Sequence, residues 1–385
     1  MINDMSDISF ETYNPFTQFS NVKEIWTYLL KKCPHTYFLS SGWTETWIKN
    51  LPLDCNLSLV VGFKKEKPVI AFFLGSKISS RHKFMTFREL SLNQTLIPDI
   101  DRIWVEYNAI LIDPELKINL DSLLNLSLIK PWDEFRMVRC SSNYKANLII
   151  DSNPNGSYIL KSKRLKSYYV DLDKVRRNNY DYLGIISPKQ RYQIRRSIKE
   201  YEKMGKIEIR SAENTAEALK ILDELTEMHQ KRWSARGVQG TMSSRYALDF
   251  HRDLVSSRFE HGEIQLLKVT AGSHVLGCLY CFLYQGDVSG YMCGFNYLDR
   301  HVYSPGAVCH YYAIAHNAMK GFNSYDFLEG EDSYRERLST DINSMETIVI
   351  RRKNIKYTIE QCIMRLRELY RRKPSGMKAV NLLPF

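Results

Sequence analysis

Residues 290–337 contain the pattern in this chain that is best suited to binding a charged ligand. A strand is expected to end near Phe295. A helix should begin at Ser304 and Pro305, because serine favours the N-cap and proline favours the first helical position. Gly306 in the first turn leaves backbone N–H groups accessible at the positive end of the helix dipole. The pattern therefore predicts a site for an anion such as the pyrophosphate of a nucleotide cofactor.

A second predicted strand, residues 325–328, opens directly into the acidic turn of residues 329–332, which reads Glu-Gly-Glu-Asp. The helix between the two strands is expected to end at Gly321, which fits the position after a helix C-terminus. Strand, helix start and acidic strand end together form a unit that can bind a nucleotide cofactor and place chemistry beside it.

Length and composition limit the class of protein. A chain of 385 residues can bury two cores, and 44% hydrophobic with 25% charged residues is typical of a soluble globular protein. The first twenty residues contain no apolar run, and no stretch approaches the ~20 apolar residues of a membrane span, so a cytoplasmic protein is expected. Cys278 and Cys281 should face opposite sides of one strand, so no metal site is expected.

The net charge of +11 is concentrated in two segments. Residues 161–210 carry fifteen Lys or Arg against six Asp or Glu, and residues 351–373 carry nine against two. Such patches attract phosphate-rich partners, which include CoA, RNA and an anionic lipid surface. The alternative is that both segments are solvated helix faces of a basic protein.

The order of predicted elements indicates an internal repeat. The C-terminal half reads β-α-α-β-β-β-α-β-α-β, followed by a basic amphipathic helix over residues 355–372. The N-terminal half follows a less regular copy of this order, with helices at 22–32 and 41–49, a hairpin of 57–63 and 68–74, and further strands at 85–90, 104–111 and 135–139. Residues 165–189 are expected to carry the chain into the second half.

This repeat predicts two tandem α/β domains, residues 1–175 and 176–385, each with a mixed, largely antiparallel sheet flanked by helices. The N-terminal counterpart of the Ser304 helix start is residues 112–115, Ile-Asp-Pro-Glu. Acidic residues at a helix start repel phosphate. The C-terminal domain is therefore expected to hold the cofactor.

Several motifs resemble those of the GNAT acyltransferase superfamily, and more closely its tandem branch. That branch includes the CelD-type acetyltransferase-like proteins of bacterial polysaccharide operons and the Fem-type aminoacyl transferases. The matching segments are residues 38–43 (FLSSGW), 189–191 (KQR), 232–237 (RWSARG), 294–296 (GFN), 304–306 (SPG) and 325–331 (YDFLEGE). The resemblance spans roughly residues 38–372.

The resemblance implies an N-acyltransferase that moves an acyl group, most simply acetyl, from acyl-CoA to an amine held between the domains. It implies a donor site formed by Phe295, Arg300, Tyr303, Ser304, Gly306, Ala307 and Val308. The family's cofactor loop begins with a basic residue that is missing here, and Arg300 or His301 is its expected substitute. A bulge near residues 293–295, permitted by Gly294, would supply an oxyanion site.

The family's acyl-transfer centre implies roles for residues of the acidic turn and the helix after it. Glu331 would relay the amine proton, Tyr334 would protonate the leaving thiolate, and Arg335 would stabilise an oxyanion or hold an anionic group. Trp233, Arg236 and Glu329 are the candidates for binding the acceptor. The alternative is that these residues only pack or lie in a solvated turn.

Two other functions fit the same resemblance. In the first, the donor is aminoacyl-tRNA, as in the Fem-type enzymes, and the concentrated positive charge favours it. In the second, the altered cofactor loop marks a degenerate GNAT pair that binds without catalysing.

Overall fold

A computed structural model describes residues 5–129, 131–142, 147–150, 157–300, 302–330 and 333–371. The strands in these ranges are β1 Ser9–Tyr13, β2 Leu57–Lys64, β3 Lys67–Arg81, β4 Met85–Leu92, β5 Leu111–Ile112, β6 Ile118–Asn119, β7 Glu134–Ser141, β8 Leu148–Ile149, β9 Tyr158–Asp171, β10 Ile207–Ser211, β11 Ile264–Ala271, β12 His274–Tyr284, β13 Asp287–Phe295, β14 Ser324–Glu329 and β15 Asp341–Arg352. The α-helices are α1 Phe19–Leu30, α2 Ser41–Asn50, α3 Leu120–Leu124, α4 Leu172–Arg177, α5 Tyr182–Ile185, α6 Pro188–Glu202, α7 Thr215–Ser234, α8 Arg245–Arg258, α9 Pro305–Met319, α10 Ser333–Leu338 and α11 Ile355–Arg371.

One large sheet of thirteen strands runs through the molecule. Its order is β1-β2-β3-β4-β7-β15-β9-β14-β13-β12-β11-β10, with β5 paired to β3. The pairs β4–β7 and β13–β14 are parallel, and the other pairs along this order are antiparallel. The predicted class, a mixed α/β fold with a largely antiparallel sheet flanked by helices, is confirmed.

The strand order reads alike from both edges toward the centre. Each half contributes a run of antiparallel strands that ends in one parallel pair, β4–β7 in the N-terminal half and β13–β14 in the C-terminal half. At the centre, β15 pairs with β7 and β9 pairs with β14. Strand β15, which comes late in the sequence, therefore completes the N-terminal part of the sheet by pairing with β7. Strand β9, which follows β7 and β8 in the sequence, completes the C-terminal part by pairing with β14.

The sheet separates three apolar cores. On the face that we call the front, α1, α2, α7 and α8 cover both halves with one continuous core. On the back face, α4, α5, α6 and α9 cover the C-terminal half, and α3 and its neighbouring segments cover the N-terminal half. Cys278 belongs to the front core and Cys281 to the back core, as alternation along β12 requires.

Local sequence signals explain the helices that border the site. Asn214 caps α7 by accepting a hydrogen bond from the backbone N–H of Glu217, and the Glu217 carboxylate accepts one from the N–H of Glu213. Ser187 caps α6, and Pro188 occupies its first turn. The α9 helix begins at Pro305 and is followed by Gly321, which has a positive φ of 84°.

Some predicted elements were wrong. Residues 165–171, expected to belong to the connection between the halves, are part of the long central strand β9. Residues 104–111, predicted as a strand, are mostly irregular, and only residues 111 and 112 pair with β3. The boundary at residues 175 and 176 stays a prediction and falls within α4.

No helix of the described part of the chain is long and apolar enough to cross a membrane.

Candidate functional site

A cavity of about 530 Å³ opens at the point where β13 and β14 separate. The two strands pair only over Asp287–Ser289 and Ser324–Asp326. Beyond that point, the cavity is lined by β13, β14, the start of α9, the end of α7 and a segment of the N-terminal half. Because α9 covers the back face and α7 the front face, the cavity is accessible to groups from both faces of the sheet.

Irregularities in both strands accompany this separation. The register of β12 and β13 shifts so that Tyr291 is an extra residue between Gly290 and Met292. On β14, the register with β9 shifts between Asp326 and Glu329, and Leu328 has a φ of 62°. A branched residue in the left-handed region is uncommon and is held there by its surroundings.

Asp326 holds the irregular segment of β14. Its buried carboxylate accepts hydrogen bonds from the Ser167 hydroxyl at 2.7 Å, from the Leu328 backbone N–H at 2.7 Å and from the Tyr107 hydroxyl. Burial raises the pKa of this carboxyl above its ordinary value. Because its oxygens are engaged in these bonds, Asp326 positions β14 and does not point to an open reaction centre.

The start of α9 forms one wall of the cavity. Ser304, Gly306 and Ala307 line it, together with Phe295 and Tyr303. Gly306 is buried, and a Cβ atom at this position would lie 3.0 Å from both the Phe295 ring and the Tyr334 hydroxyl.

The Ser304 side chain makes no capping hydrogen bond, and its backbone N–H donates to the Ser197 hydroxyl of α6 at 2.9 Å. Helix α6, with its basic sequence, therefore borders the predicted donor site.

Tyr334 lies in the same wall as Gly306. Its hydroxyl is buried and has no hydrogen-bond partner within the described residues. Burial raises the pKa of Tyr334 well above its ordinary value, so the phenol is protonated at neutral pH. Tyr334 is therefore a neutral phenol that lines the cavity.

Arg335 and Glu329 are both engaged with neighbouring groups. The Arg335 guanidinium donates to the backbone carbonyls of Leu328, at 3.4 Å, and Glu329. The Glu329 carboxylate forms an ion pair with Arg139 of β7 at 3.3 Å. Both side chains line the cavity, and both also fix the end of β14.

Glu106 is a carboxyl of the N-terminal half that the sequence analysis missed. It is buried in the cavity wall and accepts a hydrogen bond from the backbone N–H of Glu329 at 2.8 Å. Burial raises the pKa of Glu106 to about 7, although the nearby Arg139 guanidinium opposes the rise. The available signal was an acid within an aromatic run, Trp104-Val105-Glu106-Tyr107.

Helix α7 supplies the opposite wall. Trp233 donates its indole N–H to Nε2 of His229 at 2.8 Å, which leaves the proton of a neutral imidazole on Nδ1. That Nδ1 is buried without a partner among the described residues, as is Nε of Arg232. Burial lowers the pKa of His229 to about 4, so the ring is neutral at pH 7. Arg232 also stacks over the Tyr297 ring at 4.2 Å.

The cavity brings together most of the predicted site residues. Those that line it are Trp233, Arg236, Phe295, Tyr303, Ser304, Gly306, Ala307, Glu329, Tyr334 and Arg335. Arg300 does not line it; its guanidinium is exposed and lies 5.9 Å from the centre of the Tyr303 ring. Val308 is fully buried in the back core, behind the helix start. Glu331 and His301 lie outside the described residues.

The prediction of a bulge at residues 293–295 was wrong, because the irregularity of β13 lies at Tyr291. Cys293, Gly294 and Phe295 pair in regular register with β12, and the extra residue is Tyr291. Gly294 serves a different purpose: a Cβ atom there would lie 2.5 Å from the backbone oxygen of Leu225. The glycine allows α7 to approach β13 closely.

Among the described residues, no group of three or more His, Cys, Asp or Glu side chains is arranged to hold a metal ion.

Known proteins are similar to this chain in sequence over one segment and in fold along most of its length. Residues 188–336 match the family described as acetyltransferase (GNAT) domain. A conserved protein of unknown function from Bacteroides thetaiotaomicron is similar in structure, with a TM-score of 0.51 and 12% identity, over 90% of this chain and 100% of that one. FemX is similar with a TM-score of 0.51 and 10% identity, over 92% of this chain and 99% of FemX. No curated protein sequence matched the chain significantly.

The matched segment, residues 188–336, resembles GNAT acetyltransferase domains, and it lies in a mixed sheet that extends on both sides of it. The chain carries a GNAT acetyltransferase domain over residues 188–336, and along most of its length it shares the fold of FemX. The resemblance stated from the sequence motifs is confirmed.

Proposed function

We propose that the protein is an N-acyltransferase that moves an acyl group, most simply acetyl, from acyl-CoA to an amine acceptor. The observation that supports the proposal is the composition of the cavity between β13 and β14. It is lined by the start of α9, by the unpartnered phenol of Tyr334 and by the Glu106 carboxyl, whose pKa is about 7. The donor approaches from the back face, where α9 begins. The acceptor approaches from the front, between α7 and the N-terminal half.

Each chemical step has a residue in reach of the cavity. Glu106, or Glu331 as the sequence predicts, removes a proton from the acceptor ammonium, and the free amine attacks the thioester carbonyl. The tetrahedral oxyanion then collapses, the C–S bond breaks, and Tyr334 protonates the departing thiolate. The nitrogen loses its second proton to the phenolate through water, and the carboxyl releases the first proton to solvent. The products are an amide, CoA and one proton.

The residues that line the α7 wall suit recognition of the acceptor. Arg232 and Arg236 supply cations, Trp233 supplies an apolar surface, and neutral His229 supplies a donor at Nδ1. This set favours an acceptor that carries an anionic group beside its amine.

The donor site is tested by calorimetry with acetyl-CoA. Gly306→Glu would place bulk and negative charge against the Phe295 ring and the Tyr334 hydroxyl, where the pyrophosphate is expected. We expect affinity to fall at least tenfold, which corresponds to about 1.4 kcal/mol.

Met319→Glu is the matched control, because it adds the same charge to α9 at its exposed far end, where Met319 is 67% exposed. Equal acetyl-CoA binding by wild type and Gly306→Glu would contradict the donor site.

A second candidate donor is aminoacyl-tRNA. The observation that favours it is the position of α6, whose exposed Lys189, Arg195, Arg196 and Lys199 lie on the helix that borders the start of α9. A tRNA donor would bind with strong salt dependence, and acetyl-CoA would bind weakly or not at all. Measuring both ligands on one preparation separates the two donors, and the absence of both favours a binding protein without catalysis.

A further inference from the structure

Helix α11 presents an apolar stripe to solvent. Ile355, Ile359, Cys362 and Leu366 follow each other at steps of four, three and four residues, which places them on one side of a helix. All four are exposed; Ile355 is 72% exposed and Leu366 is 59% exposed. A stripe with this spacing normally faces a core. Here it faces away from the protein.

The polar side of α11 holds the helix on the molecule. Glu360 is buried and forms ion pairs with Arg81 of β3 at 3.2 Å and with Arg351 of β15 at 3.3 Å. Lys356 pairs with Asp133 at 2.9 Å, beside the start of β7. These ion pairs on one side fix the orientation of the helix. The apolar stripe is therefore held in an exposed position.

Exposed cations surround the stripe. Lys353, Arg365 and Arg367 are all exposed. Glu360 points inward to its two arginines, so its charge does not lie on the outward side. The outward side of α11 is therefore apolar and positively charged at once. Ile78, which is also exposed, lines the same small depression as Lys356 and extends the apolar surface.

We propose that α11 is a membrane-surface helix that docks the protein onto an anionic lipid bilayer. An apolar stripe flanked by Lys and Arg is the pattern of a helix that lies in the headgroup region without crossing the bilayer. The cations attract anionic headgroups, and the stripe enters the boundary with the acyl chains. This surface is formed by α11 with β3 and β15, and none of the residues that line the proposed acyl-transfer cavity belongs to these three elements.

Co-sedimentation of the full chain with lipid vesicles tests the proposal. One set of vesicles contains phosphatidylcholine alone, and the other contains phosphatidylcholine with phosphatidylglycerol. We expect the wild type to bind the anionic vesicles at least tenfold more tightly, and we expect salt to weaken this binding. The double variant I359E/L366E should lose at least tenfold of the affinity for anionic vesicles.

The double variant L53E/V238E is the matched control. It places two glutamates at exposed apolar positions outside α11 and should bind anionic vesicles as the wild type does. Thermal melting of both variants checks that they are folded.

The proposal is overturned if the wild type shows no preference for anionic vesicles or if I359E/L366E binds like the wild type. It is also overturned if the wild type self-associates in sedimentation velocity and I359E/L366E abolishes that association. In that case a second copy of the chain covers the stripe.

Discussion

Tyr334 and Tyr201 form a matched pair of residues for testing the chemistry. Each has a buried hydroxyl without a hydrogen-bond partner among the described residues, and only Tyr334 lines the cavity. If Tyr334 protonates the thiolate, Tyr334→Phe should lower kcat by up to ~10²–10⁴-fold, the range typical of general acid catalysis. The KM for acetyl-CoA should change little, because the phenyl ring keeps its packing.

Neither substitution should lower stability, because each removes a hydroxyl that makes no hydrogen bond in the described structure. Tyr201→Phe should leave turnover unchanged. Full activity in Tyr334→Phe would rule out the phenol as the proton donor. An equal loss in both variants would indicate a general packing effect.

Glu106 links the chemistry to pH. In the proposed mechanism the base is the carboxylate form of Glu106, and with a pKa of about 7 the fraction of carboxylate grows as pH rises through neutrality. Wild-type turnover should therefore rise with pH through about 7, and Glu106→Gln should be slow and should lack this rise. Steady-state rates measured from about pH 5.5 to 8.5 give the comparison. A Glu106→Gln profile that keeps the same inflection would assign the titration to another group, Glu331 being the next candidate.

The same pKa predicts how stability depends on pH. A carboxyl whose folded-state pKa is raised stabilises the fold while it is protonated, and this stabilisation is lost as pH rises from about 4.5 through about 7. Glu106→Gln removes the titration. Its stability relative to wild type should therefore be higher near pH 8 than near pH 5, by up to roughly 3 kcal/mol. Urea denaturation at the two pH values measures the difference.

At the scale of elements, local signals predicted α9, β13 and β14 well. Serine, proline and glycine at residues 304–306 mark a helix start by their own backbone preferences, which do not depend on the rest of the chain. The candidates on these elements consequently converge on one cavity. The family resemblance added their proposed roles, which remain predictions.

The elements that sequence reasoning missed depend on distant partners. Strand β9 carries Lys161, Lys163, Arg164 and Lys166, which the sequence analysis assigned to a basic patch and not to a strand. It is stabilised by pairing with β15, almost two hundred residues later. The role of Gly294 was also misjudged, because the contact that requires a glycine comes from α7. Glu106 was missed because only the fold brings the N-terminal half to the mouth of β14.

In the molecule as a whole, the two halves are joined by the central strands β9 and β15, which pair with each other. The pairing of β15 with β9 runs for twelve residue pairs, from Asp341 with Tyr169 to Arg352 with Tyr158. On its other side, β15 also pairs with β7. If either β9 or β15 detached, the strands on both sides of it would lose their partners. Unpaired backbone N–H and C=O groups in a buried sheet cost free energy. The cavity itself is lined by both halves, because Glu106 comes from one and the start of α9 from the other.

The two halves should therefore unfold together, and the cysteines report on each half separately. Buried Cys33, Cys55 and Cys140 lie in the N-terminal half, buried Cys278, Cys281 and Cys309 lie in the C-terminal half, and Cys362 is exposed. Pulse labelling with a thiol reagent across a urea series, followed by peptide mass spectrometry, should give one shared midpoint for both buried groups. Cys362 should label at every urea concentration and serves as the internal control. Two separated midpoints would mean that each half is stable alone, and the exchanged strands β9 and β15 would then contribute little to the cooperativity of the fold.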